Sequence, residues 1–179
     1  MILVVGDSLS AEYGLARGRG WVALLEQRLA QRQLAARVVN ASISGDTTAG
    51  GRARLPALLK QHRPTHVVIE LGGNDALRGL PLASTEANLR AMAQAAKAAG
   101  ARVMVVGMRV PPNYGQRYGD DFFALFGRVA QAEGAALVPF LLEGVADSQF
   151  QPDRIHPAAE AHPRMLDNVW VVLQRWLQG

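Results

Sequence analysis

The chain has no cysteine among its 179 residues, so it forms no disulfide and uses no thiolate as nucleophile or metal ligand. No apolar run approaches the roughly 18 residues that a membrane-spanning helix needs. Aromatic residues are sparse and do not interleave with a basic block; the net charge of +4 comes from arginines scattered along the chain. A nucleic-acid footprint would be clustered, so that partner is not expected. The glycine spacing and lysine of a phosphate-binding P-loop are missing. No pair of histidines or acids has the helical spacing of metal ligands, so neither a metal nor a cofactor is expected.

What is present is an ordinary globular composition, 49% hydrophobic and 19% charged, which suffices for a core without staples. With no linker, repeat or low-complexity segment, residues 1–179 read as one domain. Met1 leads straight into an apolar run, which predicts a cytoplasmic chain or a mature form whose leader has been removed.

Five short runs rich in β-branched residues read as buried strands: "ILVV" at 2–5, "RVVNA" at 37–41, "HVVIEL" at 66–71, "RVMVVG" at 102–107 and "ALVPF" at 136–140. Their near-continuous apolarity suits strands covered on both faces, as in parallel sheets. Helical patterns fall between them. "WVALLEQRLAQRQL" puts Val22, Leu25, Leu29 and Ala30 on one face, and others span 84–100, 120–134 and about 162–178. Pro56 is expected to break the segment "GGRARLPALLKQH" or to start a second helix there. The alternation predicts a three-layer α/β/α sandwich with a five-stranded parallel sheet in flavodoxin-like order.

In such a sheet the functional loops gather beyond the carboxyl ends of the strands. Strand one ends in "GDSLS", strand two in "NASISGDT" and strand three in "ELGGNDALRG"; "DRIHP" precedes the last helix. Taken alone, "GDSLS" is an unremarkable strand-to-helix turn. Together the loops supply a reaction set. Ser8 needs a base to become a nucleophile, His156 is the candidate base, and Asp153 is near enough to fix its tautomer. The backbone N–H groups of Ser8 and Gly45 and the side-chain amide of Asn74 would serve a developing oxyanion.

"GDSLS", "SISGD", "GGND" and "DRIHP" resemble, in order, the four sequence blocks of the SGNH, or GDSL-type, hydrolases. That family is named for the Ser, Gly, Asn and His matched here by Ser8, Gly45, Asn74 and His156. "ARLPALLKQH" and "NYGQRY" extend the resemblance to the family's bacterial thioesterase–lysophospholipase group over nearly the whole chain. The resemblance implies cofactor-independent hydrolysis of acyl thioesters, aryl esters and lysophospholipids through an acyl-enzyme, and a periplasmic location for the mature form. It also implies a small-molecule acyl substrate, an acyl groove lined by Pro111, Pro112, Tyr114, Leu77 and Ile155, and a monomer. The prolines stiffen one end of the Val110–Gly119 loop, while Gly115 and Gly119 free the other, so a hinged flap over the acyl chain is expected. A carbohydrate-acetyl esterase of the same fold and a non-catalytic flavodoxin-like binding module are the competing readings. Asp7, Asp75, Ser10 and Ser44 read as turn or cap residues, and His62, His66 and His162 as structural or solvated.

Overall fold

The computed structural model describes residues 1–178. Five strands, β1 (Ile2–Gly6), β2 (Val38–Asn40), β3 (His66–Glu70), β4 (Arg102–Val106) and β5 (Ala136–Val138), form one sheet in the order β2-β1-β3-β4-β5. Every pairing is parallel, with Ile2 level with His66 and with Val38. This is the flavodoxin-like order expected from right-handed crossovers. The continuous apolar runs have their cause in burial on both faces: Val4, Val5, Val68, Ile69, Met104 and Val105 expose no surface. Strands β2 and β5 are shorter than their apolar runs and lie at the sheet edges.

Helices α1 (Trp21–Gln31) and α6 (His162–Gln178) pack on each other as one layer. The other layer is α2 (Thr48–His62), α4 (Leu82–Ala98) and α5 (Gln116–Glu133), packed in that sequence. A short α3 (Gly73–Leu77) follows β3. Trp21, Val22, Leu25 and Leu29 bury one face of α1, whereas Ala30 falls on the exposed side, contrary to the periodicity reading.

Two helices differ from the sequence expectation. Helix α2 runs unbroken through Pro56. The Thr47 hydroxyl caps its start by accepting the Gly50 N–H at 3.2 Å, and Gly51, Leu55 and Leu59 anchor one face. Pro56 and Arg52 both lie on the solvent side, where the carbonyl that proline leaves unbonded can be hydrated. Helix α5 begins at Gln116, four residues before the "DD" that reads as its start, because Gly115 turns the chain at φ +89°. Gly119 therefore lies inside a helix and is no hinge.

Candidate active site

Loops following β1, β2 and β3 and the segment before α6 converge at the carboxyl edge of the sheet. Ser8 sits two residues beyond β1 in a tight turn. The Asp7 carbonyl accepts the Ser10 and Ala11 N–H groups at 3.2 and 3.0 Å, and Asp7 Oδ1 accepts the Leu9 N–H at 3.0 Å. The turn presents the Ser8 hydroxyl 2.9 Å from His156 Nε2. On the far side of the ring, His156 Nδ1 lies 2.6 Å from Asp153 Oδ2.

The Asp153–His156 segment is held from three directions. Asp153 Oδ1 accepts the N–H groups of Ile155 and His156 at 2.9 and 3.0 Å. Arg154 adopts a left-handed backbone, φ +58°, which folds those two N–H groups back onto the carboxylate. The His156 carbonyl accepts the Gln151 N–H at 2.7 Å, and Phe150 bridges to Pro157. The bonds to its own oxygens, from the His156 N–H, the His156 ring and the Ile155 N–H in that order, hold the Asp153 carboxyl down to about 2. It is therefore ionised throughout the range in which an imidazole titrates.

The donor set is assembled from three loops. Neither the Ser8 nor the Gly45 N–H is taken up by another protein group among the described residues. Asn74, at the start of α3, donates from Nδ2 to Asp7 Oδ2 at 3.2 Å and to the Asp46 carbonyl at 2.9 Å. Its amide is thus fixed between the residue before Ser8 and the residue after Gly45. Gly45 turns at φ +80°, and Arg78 donates to its carbonyl at 2.8 Å. Arg54 ties the same loop down, bonding Asp46 Oδ2 at 2.7 Å and the Ala41 carbonyl. Among the described residues no cluster of three or more His, Cys, Asp or Glu side chains is placed to hold a metal ion.

Asp75 is a loop anchor: it accepts from the Thr48 N–H at 2.8 Å, from the Thr48 hydroxyl at 2.5 Å and from the Thr85 hydroxyl at 3.0 Å. His162 is buried and accepts the Trp21 N–H on Nδ1 at 3.0 Å; His66 meets the edge of Trp176. Ser10 is not a surface turn residue. It is buried, donates to Glu70 Oε2 at 2.7 Å and accepts from Trp21 Nε1 at 3.1 Å.

The residues expected to line an acyl groove are brought together in part. Tyr114, in a 3-10 turn (Pro112–Tyr114), reaches the Leu77 carbonyl with its hydroxyl at 3.4 Å, joining the loops after β3 and β4. Leu77 is 40% and Ile155 53% exposed, so both offer apolar surface beside the site. Pro111 and Pro112 are exposed and form the turn by accepting the Tyr114 and Gly115 N–H groups on their carbonyls. Two residues at the site carry no sequence signal: Tyr13, whose ring lies 4.3 Å from that of His156, and Gln151, which donates to the Tyr13 and Pro157 carbonyls at 2.8 and 3.0 Å. Only their closeness to the "GDSLS" and "DRIHP" blocks could have singled them out.

A serine in reach of an imidazole held by a carboxylate, at the carboxyl edge of a parallel sheet, defines a serine hydrolase of acyl groups. The model of the GDSL-like lipase/acylhydrolase family matches residues 4–164, and the chain belongs to that family. It is 58% identical to Esterase TesA of Pseudomonas aeruginosa over 97% of this chain and 87% of that protein. It is 45% identical to Thioesterase 1/protease 1/lysophospholipase L1 of Escherichia coli K12, over 97% of this chain and 82% of that protein. A crystal structure of TesA superposes with a TM-score of 0.95 at 57% identity, covering 97% of this chain and 98% of that one. The chain is a serine esterase.

Proposed function

We propose that the chain cleaves aryl and fatty-acyl esters, lysophospholipids and acyl thioesters through an acyl-enzyme on Ser8. The observation that carries this reading is the unbroken relay from Ser8 Oγ through both ring nitrogens of His156 to Asp153, 2.9 and 2.6 Å long. His156 Nε2 takes the hydroxyl proton as Oγ bonds to the carbonyl carbon, and the ionised Asp153 stabilises the resulting imidazolium. The carbonyl oxygen becomes an oxyanion facing the Ser8 and Gly45 N–H groups, and it takes over from the Asp46 carbonyl the Asn74 N–H that Asp7 does not hold. Collapse expels the alcohol or thiol, which leaves with the proton from His156. A water, deprotonated in the same way, then releases the acid and restores Ser8.

A carbohydrate-acetyl esterase would call for a small polar pocket, and the exposed Leu77 and Ile155 together with Tyr114 favour an apolar acyl chain instead. A phosphate-binding module leaves the Ser8–His156–Asp153 relay without a use. We further read residues 1–179 as one catalytic domain that works as a monomer in the periplasm. Among the described residues no helix is long and apolar enough to cross a membrane. Cell fractionation and light scattering test these two points. Incubation with a series of p-nitrophenyl esters and acyl-CoA thioesters tests the substrate range; release from neither class would overturn it.

Asn74→Ala is expected to lower kcat by roughly 10²–10³ with little change in KM, the usual effect of losing one oxyanion donor. Steady-state kinetics on one aryl ester decide it; a defect confined to KM would move Asn74 into the substrate pocket. For pH the sign is fixed by which form of the base works. A protonated imidazole cannot accept the serine proton, so kcat/KM falls on the acid side. Asp153, held at about 2, adds no second titration above that. An acid limb is therefore expected, to which protonation of Asp7, pushed up to about 6 by burial, adds; a kcat/KM that stays unchanged from mildly alkaline to mildly acidic conditions would contradict the assignment.

Tyr114→Ala should shift the preference among acyl lengths while sparing an acetyl ester. On this reading the Tyr114–Leu77 contact forms one side of the acyl site, where each buried methylene is worth about 0.8 kcal/mol. Specificity constants across an acyl series measure this, and an equal loss on all lengths would assign the turn a general supporting role. With Gly119 locked in α5, any flap is confined to the segment before Gln116.

A further inference from the structure

Glu70 ends β3 with no exposed surface, beneath the turn that carries Ser8. A methyl group on Gly6 would lie 2.8 Å from Glu70 Oε2, so the end of β1 rests directly against this carboxyl. Oε2 accepts from the Ser10 hydroxyl at 2.7 Å and the Asp7 N–H at 3.4 Å. Trp21 Nε1 donates in turn to Ser10 Oγ at 3.1 Å, which fastens the cluster to α1. Oε1 has no partner among the described residues.

Among the described residues no cation faces Glu70. The charged group beside it is the Asp7 carboxyl; beyond Asp7 stand Asp46 and His156. Arg54 reaches the Gly6 carbonyl at 3.4 Å but spends its charge on Asp46 at 2.7 Å. A carboxylate sealed from water with one oxygen unbonded and an acid beside it is strongly disfavoured, whereas a neutral acid is tolerated. Burial first, and the Asp7 charge second, hold the Glu70 carboxyl well above the ordinary range. Asp7 is also raised by burial, but it keeps two donors: Leu9 N–H on Oδ1 and Asn74 Nδ2 on Oδ2. The chain of contacts from Glu70 through Asp7 therefore ends on the amide assigned to the oxyanion.

We propose that Glu70 is a positioning residue: a neutral acid under the nucleophile turn, it braces Asp7, whose carboxylate aims the Asn74 amide at the developing oxyanion. This rests on the reading of Ser8 and Asn74 above, and the test separates the two. Glu70→Ala should lower kcat about 10- to 100-fold with KM nearly unchanged, as misplacement of a catalytic group does. In an Asn74→Ala background the same change should cost about twofold or less, since the group it positions is gone. Glu70→Gln, neutral and of the same shape, should restore kcat to within about threefold of native with the native pH profile.

A Glu70→Gln variant as impaired as Glu70→Ala would overturn the neutral brace. An equal Glu70→Ala loss in both backgrounds would show general support of the fold and not positioning of Asn74. Should Glu70→Ala not fold, Asp7→Ala in the two backgrounds gives the same comparison one residue closer to the amide, and Glu70→Gln still decides the charge state. Labelling of Ser8 by an organophosphonate, run on each variant, reports the nucleophile independently. Labelled Ser8 with no loss in Asn74→Ala would overturn the positioning role and leave the nucleophile standing.

Discussion

Ser8→Ala is expected to abolish nearly all ester hydrolysis, lowering kcat by on the order of 10⁶, and His156→Ala to cost about as much. In the proposed mechanism the two side chains act as one device. Without the base, the hydroxyl keeps its proton; without the hydroxyl, the base has nothing to activate. The double variant should therefore be hardly worse than either single one, and the residual rate reflects only the donor cradle and binding. Folding should survive, because among the described residues the Ser8 side chain bonds only His156, and the turn is made by Asp7, Leu9, Ser10 and Ala11. The measurement is kcat for both single variants and the double, with thermal unfolding alongside. Small losses that multiply in the double variant would dissolve the pair.

Asp153→Asn should lower kcat by on the order of 10⁴, less than loss of the nucleophile or base but more than loss of one oxyanion donor. The reason is the tautomer. Asp153 Oδ2, 2.6 Å from His156 Nδ1, only accepts, so it keeps the ring proton on Nδ1 and leaves Nε2 free for Ser8. An asparagine amide in that place donates to Nδ1 and drives the proton to Nε2, where it faces the hydroxyl. The backbone bonds from Ile155 and His156 to Oδ1 can persist, so the loop keeps its shape. KM should change little. An unchanged kcat in Asp153→Asn would remove this carboxylate from the relay.

The fold was legible because its signal is local and repeated. Strand runs such as "HVVIEL" are apolar without alternation, which only burial on both faces explains, and parallel order then follows from handed crossovers. Asp153 and His156 could be paired from their spacing, and Ser8, Gly45 and Asn74 from where their loops leave the sheet. What stayed hidden depends on which atoms face each other across the sequence. Pro56 reads as a breaker until it is seen on the wet face of α2, where its missing bond falls to solvent. The start of α5 depends on the φ of Gly115, not on the acidic pair that follows. Ser10 looks like any turn serine, and its burial between Glu70 and Trp21 joins residues 60 and 11 positions away. Tyr13 against His156 belongs to the same kind, a contact between the two ends of the chain.

The most direct test of an acyl-enzyme on Ser8 is to titrate the protein with an organophosphonate and locate the adduct by peptide mass spectrometry. One phosphonate per chain is expected, on the peptide carrying Ser8, appearing at the rate at which esterase activity disappears and failing to appear in His156→Ala. An adduct on any other residue, or full activity in protein whose Ser8 is occupied, would contradict it.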